Sequence, residues 1–124
     1  RLNSDIMTLK KTVDLSLLDE ISGGDKVFKK DVISIFLRDS GEFSSYLKSA
    51  FQKKNYEELP KKAHKFKSSV MLFKIKPLYK LLNEFENGGF AEFADQKKNK
   101  VAEKLFEIIG ICNHALIKEL KRLS

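Results

Sequence analysis

An apolar stripe near the middle of the chain limits this region to one kind of structure. Its five members, separated by four, three, four and three positions, are Leu59, Ala63, Phe66, Val70 and Phe73. Residues at these separations share one face of an α-helix. Mostly polar residues, many of them lysines, occupy the positions between them. The stripe therefore predicts an amphipathic helix with a single buried face.

Similar patterns continue on both sides of the stripe. A short helix is expected after Asp14, ending at Ser22-Gly23-Gly24, and Asp25 is a suitable cap for the next helix over 25–39. The run Asp39-Ser40-Gly41 predicts a break or bend before a helix over 41–54. Further helices are expected over 55–74, 77–87 and 95–122.

The boundaries of two helices have recognisable signals. Asn55 followed by Glu58 resembles a capping box for the helix that carries the stripe. Pro60 lies in the second turn of that helix and predicts a kink or a delayed start, because proline lacks the backbone N–H. Pro77 suits the first turn of the following helix, and Asn87-Gly88-Gly89 suits its end.

Helices of this kind, joined by short loops, predict an all-α fold: an antiparallel up-and-down four-helix bundle with additional N-terminal helices. The bundle helices are 41–54, 55–74, 77–87 and 95–122, and the helix over 25–39 extends or flanks the first. Residues 1–13 are interpreted as a lead-in or linker, which leaves 14–124 as one domain. Because the chain begins at Arg1 and not at Met, we expect it to belong to a longer protein.

Several classes of protein are disfavoured by what the sequence lacks. A single cysteine, Cys112, cannot form an intramolecular disulfide, and its apolar surroundings predict a buried thiol in a reducing compartment. No apolar run approaches the ~20 residues of a membrane span, and no secretory signal precedes the domain. We also find no glycine-rich phosphate loop and no cluster of metal ligands. We therefore expect a cytoplasmic domain without its own cofactor or metal.

One of the two histidines lies where the apolar stripe gives it no packing role. At roughly 100° per residue, His64 points about 150° away from the centre of the stripe. Lys67 and Ser68 follow three and four positions later, so both are its neighbours on the helix surface. Such a histidine is either an incidental surface residue or an accessible nucleophile beside a cation.

The residues around His64 favour the second interpretation. Ala63-His64-Lys65-Phe66-Lys67-Ser68-Ser69 resembles the active-site motif of histidine-containing phosphotransfer (HPt) domains, usually Ala-His-x-Leu-Lys-Gly/Ser-Ser. The resemblance extends over roughly 14–120. It includes Phe36-Leu37, Leu47, Ala50 and Asn55 to Leu59 upstream, and Leu78, Leu81, Leu82 and Glu86 downstream. Ser68, Met71 and Lys74 stand where family members often have glycine, which bears on how closely a partner approaches.

The resemblance implies a phosphorelay intermediate. His64 would accept a phosphoryl group from an aspartate of a response-regulator receiver domain and pass it to another receiver aspartate. Lys67 would stabilise charge, and Ser68 would give clearance or a hydrogen bond. The partner-binding surface would include Lys61, Lys65 and Met71.

The same resemblance implies what the domain lacks. Mg²⁺ would belong to the receiver, and the domain itself would be a monomeric phosphocarrier without kinase activity. It would be either free-standing or the cytoplasmic end of a hybrid sensor histidine kinase. No membrane contact is expected of this domain.

Two alternatives remain open from the sequence. A net charge of +7 and the lysine pairs 53–54, 61–62, 65/67 and 97–98 suit a basic helical module that binds nucleic acid. The scarcity of arginine and the lack of a helix-turn-helix motif weigh against it. The other alternative is a structural helical interaction domain in which His64 is incidental. The second histidine, His114, is interpreted as a surface or boundary residue, because no cysteine or carboxylate lies at ligand spacing from it.

Overall fold

The computed structural model describes residues 13–124, and this part of the chain is helical almost throughout. Five α-helices and one 3₁₀-helix follow in order: α1 (Ser16–Ser22), α2 (Lys26–Lys53), α3 (Leu59–Met71), α4 (Lys76–Asn87), the 3₁₀-helix Phe90–Glu92, and α5 (Asp95–Leu123). The predicted lead-in over 1–13 lies, apart from Val13, outside the described residues.

The all-α bundle is confirmed. Helix α2 packs against α3, α3 against α4, α4 against α5, and α5 against α2, so the four helices enclose one core. The 28 residues of α2 and the 29 of α5 form two long helices, each about 42 Å in length at 1.5 Å per residue. Helices α3 and α4 are less than half as long, and together they form a helical hairpin. Helix α1 packs on α2 and supplies the additional N-terminal element.

Several helix ends form as the sequence predicts. The Asp25 carboxylate accepts hydrogen bonds from the backbone N–H groups of Val27 and Phe28, which caps α2. Helix α1 ends where Gly23 takes the left-handed conformation, with φ of 60°. Pro77 lies in the first turn of α4, where the missing N–H costs no intrahelical bond.

The predicted break at residues 39–41 is wrong, because α2 runs through it without interruption. Asp39 and Ser40 are buried, and their polar groups have partners both within α2, where Arg38 contacts Asp39 and Ser40 donates to the Leu37 carbonyl, and on other helices. Ser69 of α3 donates a hydrogen bond to the Asp39 carboxylate, and the Ser40 hydroxyl lies 3.2 Å from Asn113 Oδ1 of α5. These tertiary contacts outweigh the weak helix propensity of the segment.

The start of α3 also differs from the prediction. The helix begins at Leu59 and not near residue 55, so the delayed start expected from Pro60 is confirmed. The predicted capping box is wrong: Asn55 Oδ1 accepts a hydrogen bond from the N–H of Glu57, and the Glu58 side chain caps nothing. Asn55 therefore closes a local turn before the helix, a common use of its short side chain.

Aromatic rings fill the centre of the bundle. Phe66 of α3 lies 5.5 Å from Phe36 and 5.6 Å from Phe43 between ring centroids, which ties α3 to α2. Phe85 of α4 contacts Phe43 at 5.8 Å and Phe90 at 4.9 Å, so the cluster reaches the 3₁₀-helix. Four members of the apolar stripe lie in α3 and the fifth, Phe73, lies in the loop after it, and all five are at most 1% exposed. The buried face predicted for this helix is thus confirmed, and its opposite face is left to solvent.

Cys112 is buried in α5, and burial raises the pKa of its thiol to about 12, so it stays protonated at neutral pH. Across the part of the chain that the structure describes, no helix has the length and apolar character needed to cross a membrane.

Candidate functional site

The hairpin of α3 and α4 brings a polar face of each helix together. Residues 72–75 connect the two helices and make them antiparallel, so the pairs in contact across the hairpin are spaced evenly on either side of Ile75. His64 in the second turn of α3 therefore meets Glu86 in the last turn of α4, and Lys67 meets Asn83. We call the line of contact from His64 and Glu86 towards the loop the α3–α4 seam.

One ring nitrogen of His64 contacts Glu86, and most of the His64 side chain is exposed to solvent. Its Nδ1 atom lies 2.7 Å from Glu86 Oε2, and 71% of its side chain is accessible to solvent. A carboxylate can only accept a hydrogen bond, so Nδ1 carries the proton and donates it. In a neutral ring Nε2 then has a free lone pair. The contact with Glu86 thus selects the tautomer in which Nε2 is the unprotonated nitrogen.

Lys67 shares the same carboxylate. Its Nζ atom lies 2.6 Å from Glu86 Oε1 and 3.2 Å from Asn83 Oδ1, and it lies 5.1 Å from the centroid of the Tyr79 ring. Only 14% of the Lys67 side chain is exposed, so it lies at the edge of the buried face of α3. Glu86 therefore bridges His64 and Lys67, one with each oxygen.

Charges at the seam stabilise each other. The hydrogen bond from Lys67 holds the pKa of Glu86 below its ordinary value of 4.5, and the contact with His64 lowers it further, although partial burial opposes both. The Glu86 hydrogen bond in turn raises the pKa of Lys67 above its ordinary value of 10.5. Glu86 is consequently an anion at neutral pH, which is what the tautomer of His64 requires.

Replacing Lys67 with methionine is expected to raise the pKa of Glu86, because it removes the largest cause of the depression. In the native chain the stability that this depression contributes is present above pH 4.5 and is lost as the pH falls through the lower folded-state pKa. Melting temperatures of the native chain and the variant should therefore converge below pH 4.5. A carbon-13 NMR titration of the Glu86 carboxyl measures the shift directly.

Lys65→Met is the matched control for that titration. Lys65 is exposed and its only ion pair among the described residues is with Glu42, at 3.6 Å. An equal rise of the Glu86 pKa in both variants would contradict a specific role for Lys67.

The remaining predicted site residues are exposed but not all are joined to the seam. Ser68 is exposed beside His64, and no hydrogen bond of its side chain is found within residues 13–124. Lys61 and Lys65 are exposed on the first turns of α3. Met71, 59% exposed, lies two turns after His64 on the same side of the helix. The neighbouring Ser69 points the other way and binds Asp39 of α2, so it fixes the helix and does not serve the exposed surface.

The lysines behind the nucleic-acid alternative are spread over one end of the bundle. Lys62 lies over the ring of Tyr46, Lys97 over Phe93 and Lys98 over Tyr56, at 5.7, 4.0 and 4.9 Å from the ring centroids. Their ammonium groups therefore form cation–π contacts within the domain. Nucleic-acid binding stays an untested alternative.

His114 is exposed on α5, on a different helix from the seam. Within residues 13–124, no three His, Cys, Asp or Glu side chains are grouped so that they could hold a metal ion.

The sequence did not identify the role of Glu86 or of Asn83. Both belong to a polar stripe of α4 that also includes Tyr79 and Asn87, and Asn87 donates a hydrogen bond of 3.0 Å to Asn83. Their spacing of three and four places them on one helix face, so the stripe itself was visible. The sequence does not show which residues of α3 this stripe contacts, because those contacts depend on the register of the α3–α4 hairpin.

Comparison of the chain with protein-family models, with curated proteins and with solved structures finds no match. The case for a function therefore rests on the residues of the seam and their geometry.

Proposed function

We propose that this domain is a phosphorelay carrier of the HPt type, in which His64 receives a phosphoryl group from a receiver-domain aspartate and passes it to another. The observation that carries the proposal is the Glu86 carboxylate on His64 Nδ1, at 2.7 Å, on a ring that is otherwise open to solvent. A merely incidental surface histidine has no need of a partner that fixes its tautomer. The motif around His64 supplies the class of reaction.

The chemistry requires one bond to form and one to break. The Nε2 lone pair attacks phosphorus, the bond between phosphorus and the aspartyl oxygen breaks, and the aspartate leaves as a carboxylate. Positive charge develops on the imidazole, which keeps its proton on Nδ1. Glu86 lies where it stabilises that charge, as a preorganised carboxylate does beside other catalytic histidines. In the second transfer the carboxylate of the next receiver attacks phosphorus and the imidazole leaves.

Lys67 has two parts in this proposal. Glu86 and Asn83 take two of the three donors of its ammonium group, so one donor is left for a phosphoryl oxygen. Its ion pair with Glu86 also holds the carboxylate against His64. Ser68, exposed one turn from His64, gives clearance for the receiver or donates a hydrogen bond to the phosphoryl group.

The proposal assigns all other chemistry to the partners. Receiver domains supply the aspartate and the Mg²⁺ ion that holds the phosphoryl group before transfer. The carrier itself needs no cofactor and has no kinase activity, and its place is the cytoplasm, alone or as the end of a hybrid kinase.

Incubation with phosphorylated receiver domains tests the proposal. The domain should acquire phosphate that is labile in acid and stable in alkali, and the label should return to a second, unphosphorylated receiver when that is added. If every receiver of the parent organism leaves the domain unlabelled, the proposal is wrong. Salt-sensitive binding of DNA or RNA by the same unlabelled protein would favour the basic-module alternative instead.

Glu86→Gln is expected to slow phosphoryl transfer to His64 by about 10- to 100-fold, the range found when the hydrogen-bonded partner of a metal-ligating histidine is removed. The amide keeps the shape of the side chain but cannot balance charge on the ring or on Lys67. Single-turnover transfer rates measure the effect, and nitrogen-15 NMR of the imidazole should report a changed tautomer ratio.

Glu84→Gln is the control for that substitution. Glu84 is exposed on the same helix and forms no ion pair with another described residue. Transfer rates that fall equally in the two variants would show that Glu86 acts only through general surface charge.

A further inference from the structure

An apolar groove continues the α3–α4 seam beyond Lys67, towards the loop. Met71 and Tyr79 form its exposed apolar walls, with 59% and 37% of each residue accessible, and the buried Ile75 lies between them. We call this feature the Met71 groove. Met71 is two turns from His64 on the same side of α3, about 10 Å along the helix axis. Any domain that reaches Nε2 of His64 along the seam also comes close to the groove.

The rim of the groove is positively charged. It consists of Lys74, Lys76 and Lys80, and no carboxylate lines the groove with them. None of the three forms an ion pair within residues 13–124. Asp14 is near Lys74: its pKa is lowered mainly by its hydrogen bonds with Ser16, and Lys74 adds to that effect. Lys76 and Lys80 share an adjoining depression with Lys104 and one carboxylate, Glu84, so three lysines there face a single acidic side chain and the surroundings of the groove stay net positive.

The apolar walls and the positively charged rim together favour one kind of binding partner over others. A second copy of the chain would bring the same lysines against their own counterparts, and like charges placed together at an interface oppose association. A membrane surface would find only two exposed apolar side chains here, a small area for interfacial binding. An apolar side chain flanked by carboxylates matches both the walls and the rim, and flexible methionine adapts its shape to such a contact.

We propose that the Met71 groove is a specificity pocket for the receiver domain, and that it accepts an apolar side chain of the receiver surrounded by acidic residues. This inference rests on the proposed phosphorelay function. Charge complementarity at the rim speeds association with acidic-faced receivers and disfavours receivers with a basic face. The contact with Met71 and Tyr79 then slows dissociation.

The double variant Lys76→Glu/Lys80→Glu tests the inference, with Lys118→Glu/Lys121→Glu as a control of equal charge change. Lys118 and Lys121 are exposed on α5. The control pair is far from the groove. Lys104 lies beside Lys76 and Lys80, and Lys118 is about 21 Å from Lys104 along the α5 axis. The probe is a purified receiver domain that labels the native domain in the transfer assay. Stopped-flow association rates are measured in 50 mM and 500 mM NaCl.

At low salt the groove variant should associate at least ~10-fold more slowly than the native domain, and the α5 variant within about twofold of it. The difference should shrink at high salt, because the rim is exposed. Met71→Ala should raise the dissociation rate at both salt concentrations. Circular dichroism of each variant checks that the fold is kept.

The possible failures are distinct. If no receiver labels the native domain, the phosphorelay function and this inference both fail. If receivers label it but the two double variants slow association equally, the groove has no part in specificity and the inference alone is overturned. It is equally overturned if the lysine substitutions abolish self-association in sedimentation, or abolish binding to phosphatidylserine vesicles, without slowing the receiver.

Discussion

Replacing His64 with glutamine is expected to abolish labelling of the domain by a phosphorylated receiver. The substitution removes the only ring nitrogen of the seam that can form a bond to phosphorus, and the Gln amide is not a nucleophile. Stability should stay within about 0.5 kcal/mol of the native value, because the substitution changes a side chain that is mostly solvent-exposed. Retained fold together with lost label would therefore report on chemistry and not on folding.

His114→Gln is the matched control for that loss. It changes the other histidine of the chain, which is also exposed and lies on α5, away from the seam. This variant should accept phosphate at the native rate. Label that survives in His64→Gln and disappears in His114→Gln would move the phosphoryl acceptor to α5 and contradict the proposed function.

Of the two structural features of His64, its exposure could be predicted from the sequence and its contact with Glu86 could not. The exposure of His64 followed from the apolar stripe, because the position of a residue around a helix depends only on local periodicity. Its contact with Glu86 required the pairing of α3 with α4. Once the short loop makes the helices antiparallel, residues near the start of α3 must meet residues near the end of α4. The sequence shows the polar face of α3 and that of α4, but not which residues of one face contact which residues of the other.

At residues 39–41 the low helix propensity predicted a break, but tertiary contacts keep the segment helical. Asp39, Ser40 and Gly41 are poor helix formers, and alone they would favour a break. In the bundle, hydrogen bonds from Ser69 and with Asn113 satisfy the two buried polar side chains. Both partners are far away in sequence, so helix propensity could not reveal them. The outcome is an uninterrupted α2 that packs against α3.

Phe66→Ala is expected to destabilise the domain by about 3–5 kcal/mol. Phe66 is 1% exposed and contacts two rings of α2, Phe36 and Phe43, so truncation leaves a cavity between α2 and α3 that the surrounding aromatic cluster cannot easily fill. Because domains of this size are stable by only about 5–15 kcal/mol, the loss is a large part of the total. Urea unfolding followed by circular dichroism measures it, with an unchanged slope indicating the same two-state transition.

Phe28→Ala provides the matched control, because it makes the same chemical change where 39% of the residue is exposed. It should cost about 1 kcal/mol or less, since surface substitutions have small effects. The milder Phe66→Leu keeps most of the buried volume and should cost less than Phe66→Ala. If Phe66→Leu stays folded, its transfer rate at saturating receiver should remain near native, because Phe66 supports α3 from the side opposite His64. Equal losses of stability in Phe66→Ala and Phe28→Ala would show that α3 is not anchored through the aromatic cluster.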